Sequence, residues 1–420
     1  MTHVHVAAEK NTKNAVVVRK PFVIEGFRVN AVSCNMRYSG RLDLALIATE
    51  RFLKVPVAAV FTQNLFAAAP VEVSRRHLKS SGGMGCAVLI NSGIANACTG
   101  DRGIKLAEET CRKVAKAISV SSESVLVAST GVIGPHIKVK AVEGVLPELV
   151  NGLAPDKWDS VAKAIMTTDT VPKSAYAEMM VGGETVKVGG VAKGSGMIAP
   201  NMATMLAFLC TNVHVNQKIL QEMLAKAVDE SFNRITVDGD TSTNDTVMMF
   251  AAGPDGVAKI LTGREPEAEV IYELICNVCR DLACQIVEDG EGATKFVEIT
   301  VTGAASKEDA KRIAKCIAES PLVKTAFYGG DANWGRIVAA AGRAGVRFDP
   351  KKVSLYFDDL CVFKDGVPVL LPDVEKRASE VFGKDRIFVK LVLREGIGEA
   401  AVWTCDLSHG YVDINASYRT

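Results

Sequence analysis

A single threonine in an apolar run is the residue whose setting most clearly points to chemistry. Thr204 lies in GSGMIAPNMATMLAF, residues 194–208, directly after the small residue Ala203. If the peptide bond between these two residues is broken, Thr204 becomes a new N-terminus. It then carries a hydroxyl nucleophile and, on the same residue, an amine that can act as the base for that hydroxyl. The sequence therefore predicts that one self-cleavage builds an active site.

Polar and glycine-rich segments elsewhere in the chain can supply the rest of such a site. STGVIG, residues 129–134, follows an apolar run directly, so the Thr130 hydroxyl and the Gly131 N–H can be aimed at one point, as an oxyanion hole requires. Similar segments are NSGIANACTG (91–100), MTTDTVPK (166–173), GEGATK (290–295) and YGGDANWGRI (328–337). Each of these alone is also typical of ordinary turns.

The elements that must position these segments are strands and helices in mixed order. Short apolar runs predict buried strands at LALIAT (44–49), VAAVFT (57–62), CAVLIN (86–91), SVLVAS (124–129), FVEITV (296–301), VSLYF (353–357), IFVKLVL (387–393) and AAVWTC (400–405). Helical periodicity covers 101–119 and 216–233, and Ser306 with Asp309 predicts a capped helix that runs to about Glu319. Adjacent strands in the last third favour mixed α/β layers, sheets covered by helices, over a doubly wound parallel sheet.

Composition restricts the classes of partner. The 420 residues are 48% hydrophobic and 23% charged, with a formal net charge of +1. This balance leaves no excess of lysine and arginine for phosphates, so nucleic acid and anionic membranes are not expected partners and a small-molecule substrate is. MTHVHVAAEKNTKN lacks the basic start and apolar core of a signal peptide, and no run approaches the roughly 18 apolar residues of a membrane span. We expect a cytoplasmic protein.

The cysteines favour a reducing compartment and offer no metal site. Their number, eleven, is odd and their spacing is irregular, which argues against a disulfide framework. Cys276, Cys279 and Cys284 lie in a segment with helical periodicity and have no second ligand pair or nearby histidine, so we interpret them as core residues of a helix.

Two further motifs support a rival hypothesis, a non-catalytic nucleotide- or metal-binding protein. GIGEAA (396–401) fits the dinucleotide fingerprint, but the next residues predict a strand where a phosphate site needs a helix. DGDTSTND (238–245) resembles the start of a calcium loop, but Thr243 stands where the loop needs glycine and Met249 where it needs glutamate. An intact chain whose function survives Thr204→Ala would favour this hypothesis.

A resemblance accounts for the polar segments together. STGVIG, MTTDT, KGSGMIAPNMATML, RITVDGDTSTND, DGEGATK, GGDANWGR and the C-terminal NASYRT resemble, in this order and spacing, the ornithine acetyltransferase (ArgJ) family. The resemblance extends from about Gly26 to Thr420. Two departures are visible: Ile94 stands where the family has asparagine in NSGNAN, and Ala332 where it has proline in GGDPNWGR.

The resemblance implies a precursor that cleaves itself between Ala203 and Thr204. The products are an α chain, 1–203, and a β chain, 204–420, that stay associated as an α2β2 heterotetramer. A C-terminal subdomain is expected from about residue 306, after a weak boundary at 302–306. The implied fold is that of self-processing enzymes with an N-terminal nucleophile, of the DmpA and ArgJ type.

The resemblance also implies the reaction and its residues. Thr204 takes the acetyl group of N2-acetyl-L-ornithine as an ester and passes it to L-glutamate by ping-pong transfer, in the cyclic arginine pathway. The oxyanion hole is formed by Thr130 and Gly131, and substrate is bound by Thr167, Lys193, Thr204, Glu291, Asn415 and Thr420. No cofactor or metal is implied, and the residues leave open whether acetyl-CoA is a second donor. They also leave open a self-cleaving amidase or aminopeptidase, in which water takes the place of glutamate.

Overall fold

The computed structural model describes residues 16–181, 183–199, 205–253 and 259–417. Its strands are β1 (Phe27–Val32), β2 (Leu44–Thr49), β3 (Val55–Phe61), β4 (Met84–Gly85), β5 (Ala87–Asn91), β6 (Val125–Ser129), β7 (Lys173–Val181), β8 (Glu184–Lys193), β9 (Leu206–Thr211), β10 (His214–Val215), β11 (Ile235–Thr236), β12 (Thr246–Ala251), β13 (Lys259–Ile260), β14 (Phe296–Ala304), β15 (Ser354–Phe357), β16 (Leu360–Lys364), β17 (Val367–Pro368), β18 (Arg386–Val392) and β19 (Gly398–Cys405).

Helices cover these strands in every part of the described chain. They are α1 (Ala69–Ser80), α2 (Gly100–Ala117), α3 (Val139–Asn151), α4 (Trp158–Ala164), α5 (Gln217–Asp229), α6 (Pro266–Glu288), α7 (Lys307–Ala318), α8 (Pro321–Gly329), α9 (Trp334–Gly342), α10 (Val374–Phe382) and α11 (His409–Ser417). Short 3-10 turns lie at Glu50–Phe52, Ser122–Ser124, Phe232–Arg234 and Pro350–Lys352.

Two sheets in the first two thirds of the chain pack against each other. One has the order β1-β2-β5-β6, with β5 and β6 parallel; the other has the order β4-β3-β12-β9-β8-β7, with β9 and β12 parallel. A shared apolar core contains residues of both, such as Ile47 and Leu126 from the first and Phe208 and Phe250 from the second. The sheets bury one face of each strand between them, and helices cover the opposite faces, which explains why these strands read as continuous apolar runs.

A third sheet forms the C-terminal part and has its own core. Its order is β11-β19-β14-β18-β15-β16-β17, mostly antiparallel but with β11 and β19 parallel and β14 and β18 parallel. The cluster under it contains residues of β14 together with α7, α8, α9 and α10. The strand at Phe296–Ala304 therefore packs with the elements that follow it, so this core begins before residue 306.

The prediction of a mixed α/β architecture with helix-covered sheets is confirmed. Each predicted strand is present with its ends within two residues of the predicted ones, except β14, which runs three residues further, to Ala304. Ser306 caps α7 as predicted, because its Oγ accepts a hydrogen bond of 3.1 Å from the Asp309 N–H. The helix predicted at 216–233 is shorter. It ends at Asp229, where the Ser231 hydroxyl bonds back to the Ala227 carbonyl and a 3-10 turn follows.

Candidate active site

A cavity of about 130 Å³ lies where the ends of several strands meet two loops and the last helix. Six of the residues predicted from the sequence line it: Thr130, Gly131, Thr167, Lys193, Glu291 and Asn415. The other three, Ala203, Thr204 and Thr420, lie outside the described residues. The structure thus brings together side chains that are separated by up to 285 positions in the chain, which is the distance from Thr130 to Asn415.

Thr130 and Gly131 form the wall of the cavity at the end of β6. The Thr130 N–H donates to the Asn91 carbonyl at 3.0 Å, so this amide is already engaged. The Thr130 hydroxyl and the Gly131 N–H have no hydrogen-bond partner in the part of the chain that the structure describes. Two donors on one cavity wall can stabilise an oxygen that develops negative charge.

Glycine is required at position 131 for two reasons. Its φ of +126° is rarely adopted by L side chains. A Cβ there would lie 2.3 Å from the carbonyl carbon of Gly93, which is backbone and cannot swing away. The neighbouring Gly134 offers a contrast, because its φ is +105° but an added Cβ would meet nothing within 4 Å.

We therefore expect Gly131→Ala to be much more destabilising than Gly134→Ala. The change at Gly134 adds backbone strain alone, about 1–2 kcal/mol, whereas the change at Gly131 adds a steric clash worth roughly 1–3 kcal/mol more. Denaturant or thermal unfolding of the two variants measures the difference. Equal losses of stability would contradict the close approach of Gly131 to Gly93.

Lys193 ends β8 and is buried, with only 3% of its surface exposed. Its Nζ donates to the Thr167 hydroxyl at 2.8 Å and lies 3.7 Å from Asp169 Oδ2. It is therefore not the solvated charge that an isolated lysine in the sequence would suggest. The ammonium faces the cavity beside a hydroxyl, where it can bind a carboxylate of a ligand.

A buried ion network behind the cavity holds this pair. Asp169 accepts hydrogen bonds from the Thr167 N–H at 3.0 Å, the Gly194 N–H at 2.7 Å and the Lys173 ammonium at 2.7 Å. The same ammonium lies 2.5 Å from Asp289 Oδ2. Burial opposes ionisation of Asp169, but the ammonium groups of Lys193 and Lys173 and these hydrogen bonds hold the pKa of its carboxyl well below the usual range.

Glu291 enters the cavity from the turn after α6. Its N–H donates to the Ser195 carbonyl at 2.8 Å, and its Oε2 accepts from Asn415 Nδ2 at 2.8 Å. A Cβ on Gly196 would lie 2.3 Å from the Glu291 carboxyl carbon, so the glycine allows the close approach. Asn415 lies on α11, and this contact connects the last described helix to the site.

The loop 238–245 also lines the cavity, a role that the motif comparison missed. Both oxygens of Asp238 are engaged: the donors are the N–H groups of Met197 at 2.5 Å, Ile198 at 2.8 Å and Asp240 at 3.2 Å, and the Tyr411 hydroxyl at 3.2 Å. Burial raises the pKa of the Asp238 carboxyl above its ordinary value.

Asn244 anchors this loop next to the Thr130 wall. Its Nδ2 donates to the carbonyls of Ala95 at 2.7 Å and Ser129 at 2.8 Å. The many Asp, Asn and Thr residues in DGDTSTND could have identified this loop as part of the site. Comparison with a calcium loop considered these residues only as metal ligands.

The charges of the cavity suit a ligand that has both an ammonium and a carboxylate. Among the described lining residues, Lys193 is the one cation, and Asp238, Asp240 and Glu291 are acidic. Thr130, Thr167 and Asn415 add neutral hydrogen-bonding groups. An amino acid carries the matching set of groups, and so does an N2-acyl diamino acid, whose side chain keeps an ammonium.

The motifs set aside in the sequence have structural roles. GIGEAA turns into β19, a strand, as predicted. Cys279 is buried in α6, with Cys276 and Cys284 partly buried on the same helix. Within the described ranges no cluster of three or more His, Cys, Asp or Glu could hold a metal ion, and no helix is long and apolar enough to cross a bilayer. Ile94, one of the two departures from the family pattern, is a buried core residue.

Known proteins match nearly the whole chain. The ArgJ family model matches residues 28–420. An "Arginine biosynthesis bifunctional protein ArgJ" of Chlorobaculum tepidum is 47% identical over 396 residues, which cover 94% of this chain and 96% of that protein. The protein of the same name from Geobacter sulfurreducens is 48% identical over 397 residues, which cover 94% of this chain and all of that protein.

This chain is also similar to a crystal structure of Arginine biosynthesis bifunctional protein argJ from Bacillus halodurans, with 41% sequence identity and a TM-score of 0.49. The match covers 51% of this chain and 100% of the chain in that structure. The family model spans more than nine tenths of this chain, and the two relatives are nearly half identical to it over similar lengths. The chain belongs to the ArgJ family.

Proposed function

We propose that this protein is a self-cleaving acyltransferase that moves the acetyl group of N2-acetyl-L-ornithine to L-glutamate. The products are L-ornithine and N-acetyl-L-glutamate. Membership of the ArgJ family supports this function, as do relatives named as bifunctional proteins of arginine biosynthesis. The observation that carries it is the cavity, which combines an amino-acid-binding set of charges with two donors suited to an oxyanion.

The active form is made by cleavage between Ala203 and Thr204. The Thr204 hydroxyl oxygen attacks the Ala203 carbonyl, the amide becomes an ester, and water releases an α chain, 1–203, and a β chain, 204–420. A small residue before the nucleophile, Ala203, suits attack on its carbonyl. After release, Thr204 has a free amine that can serve as general base for its own hydroxyl.

Acetyl transfer then proceeds in two balanced steps. The Thr204 oxygen attacks the acetyl carbonyl of acetylornithine while the α-amine takes the hydroxyl proton and returns it to the departing ornithine nitrogen. The glutamate amine next attacks the acetyl-threonine ester, and Thr204 recovers its proton. The Thr130 hydroxyl and the Gly131 N–H stabilise the oxyanion in both steps, with one such donor worth about 3 kcal/mol.

Substrate binding is assigned to the charged and polar groups of the cavity. Lys193, with the Thr167 hydroxyl 2.8 Å from its Nζ, binds the α-carboxylate. Glu291, hydrogen-bonded to Asn415, binds an ammonium group. Thr420 completes the set by its place in the family motif.

An assay of the acetyl-enzyme lifetime tests this function. Purified protein is given acetylornithine, and the lifetime of the acetyl-enzyme is followed with and without glutamate. We expect glutamate to shorten the lifetime of the acetyl-enzyme and to be converted to N-acetylglutamate. An ester that water removes equally fast in both samples, without acetylglutamate, would identify a deacetylase or amidase and contradict the transferase.

Acetyl-CoA is proposed as a second donor, because the relatives that match are named as bifunctional. The assay compares acetylornithine and acetyl-CoA as donors to glutamate with the same preparation. No cofactor is assigned beyond this co-substrate. We further propose a cytoplasmic α2β2 heterotetramer, which the mass of the native complex tests.

A further inference from the structure

Self-cleavage requires a proton acceptor that the transfer cycle does not supply. In the mature protein the Thr204 α-amine takes the hydroxyl proton. Before cleavage the same nitrogen belongs to the peptide bond with Ala203, and resonance delocalises its lone pair into the carbonyl. An amide nitrogen is therefore not a base. If the self-cleavage proposed above occurs, another group must accept the Thr204 proton in the precursor.

One loop holds the chain on both sides of the proposed cleavage site. Upstream, the Met197 N–H donates to Asp238 Oδ2 at 2.5 Å. Downstream, the Met205 N–H donates to Asp245 Oδ1 at 3.0 Å, and the Met205 carbonyl accepts from the Thr246 N–H at 3.2 Å. Two of the three aspartates of this loop, Asp238 and Asp245, thus anchor opposite flanks of the segment.

Asp245 contacts the residue that follows the proposed nucleophile in the chain. The Met205 nitrogen that donates to Asp245 Oδ1 belongs to the peptide bond between Thr204 and Met205. The Asp245 carboxylate is therefore held at the peptide unit that directly follows Thr204 in the chain. A carboxylate held at this peptide unit is a candidate to take the proton of the Thr204 hydroxyl.

The second carboxylate oxygen of Asp245, Oδ2, has no described hydrogen bond that accounts for its burial. The residue is completely buried. Its Oδ2 is enclosed and finds no hydrogen-bond partner among the residues that the structure describes. Most buried carboxylate oxygens are paired, and an unpaired one needs an explanation such as a catalytic role.

Among the described acidic groups near the cavity, Asp245 is set apart by an oxygen that is both enclosed and without a hydrogen-bond partner. Asp238 accepts from four donors with its two oxygens, and both Asp169 oxygens accept from backbone or ammonium groups. Glu291 is bound to Asn415. Burial raises the pKa of the Asp245 carboxyl well above its usual value, against the opposing effect of the Lys193 ammonium, so its ionised form is a stronger proton acceptor.

We propose that Asp245 Oδ2 accepts the proton of the Thr204 hydroxyl during self-cleavage. The Thr204 oxygen forms a bond to the Ala203 carbonyl carbon as the proton moves to Asp245. The carbon–nitrogen bond then breaks, and Asp245 gives the proton to the departing Thr204 nitrogen, which leaves an ester and a free amine. Water hydrolyses the ester, and Asp245 ends the sequence ionised as it began.

The test follows cleavage of the full-length precursor by intact mass over time. Asp245→Asn keeps the shape of the side chain but removes the base, and we expect cleavage to slow by roughly 10²–10⁴-fold. Asp43→Asn is the matched control, because Asp43 is a buried aspartate that accepts the N–H groups of Cys34 and Met36 and does not line the cavity. The Asp43→Asn variant should be less stable than the wild type but should cleave at the wild-type rate. Thermal unfolding by circular dichroism verifies that each variant is folded.

Chemical rescue separates a base from a merely structural group. Asp245→Ala leaves space beside Met205, and added formate should accelerate its cleavage by returning a carboxylate. Asp245→Glu keeps a carboxylate on the chain and should cleave faster than Asp245→Asn. This comparison tests the proposal even if the alanine variant does not fold. In the wild type, cleavage should accelerate as the pH rises through the pKa of Asp245, because the ionised form is the base.

The outcomes are distinct from those of the proposed function. A wild-type chain that stays intact contradicts the self-cleaving acyltransferase itself. A wild-type chain that cleaves, with folded Asp245→Asn cleaving at the same rate, contradicts only the role of Asp245. Failure of formate to accelerate a folded, slow Asp245→Ala would likewise overturn that role.

Discussion

Thr204→Ala is expected to leave the chain intact and to abolish acetyl transfer. Alanine has no hydroxyl, so neither the ester with Ala203 nor the acetyl ester can form. Loss of a covalent nucleophile costs roughly 10⁴-fold or more in turnover. Intact mass and transfer of acetyl from acetylornithine to glutamate measure the two effects on one sample.

Thr204→Ser is the matched control for this change. Serine keeps the hydroxyl and should still cleave, with transfer activity reduced but measurable. A Thr204→Ala chain that is cut at the same bond would show that another residue or a contaminating protease does the cutting. An intact Thr204→Ala chain with full activity would favour a protein whose function needs no nucleophile at this position.

Asp169→Asn is expected to be the most destabilising conservative change near the site. It removes one charge of a buried network and leaves the Lys173 and Lys193 ammonium groups under-compensated. Breaking a buried ion pair by removing one partner costs about 3–5 kcal/mol. Denaturant unfolding measures the loss, and the weakened hold on Lys193 should also raise the KM for acetylornithine.

Asp159→Asn provides a closely matched control. Asp159 pairs with Lys163 at 2.6 Å and Asp169 pairs with Lys173 at 2.7 Å, and both pairs have a spacing of four residues. They differ in burial: the Asp159 side chain is 58% exposed and the Asp169 side chain 0%. The exposed pair should contribute about 0–1 kcal/mol. Equal losses in the two variants would contradict the role of the buried network.

The same network gives a pH dependence of stability with a defined sign. The pKa of Asp169 is lower in the folded protein than in the unfolded chain. Its contribution to the free energy of unfolding is therefore complete above the unfolded pKa, about 3.9, and is lost as the pH falls toward the folded pKa. The difference in stability between the wild type and Asp169→Asn should shrink as the pH is lowered below about 4.

The positions of the site residues were predictable, but their connections were not. Thr167, Lys193, Glu291 and Asn415 were identified by resemblance to a family, and the structure brings them to one cavity. Local patterns predicted the strands that deliver them, because buried sheets have long apolar runs. Charge and periodicity alone would have left Lys193 on the surface, since burial of a lysine depends on partners distant in sequence.

The residues that hold the site residues in place depend on tertiary contacts, which no local sequence pattern encodes. Asp169 and Asp289 share one ammonium although 120 residues separate them. Asp238 and Asp245 belong to the same acidic motif and look equivalent in the sequence. Only the fold shows that the first is saturated with donors while the second has an oxygen without a described partner.

The central claim is that the chain is cut before Thr204 to make the active enzyme, and intact mass of the purified wild-type protein tests it most directly. We predict two chains whose masses add up to that of the precursor plus one water, divided between Ala203 and Thr204. A single unbroken chain with full acetyltransferase activity would contradict the claim.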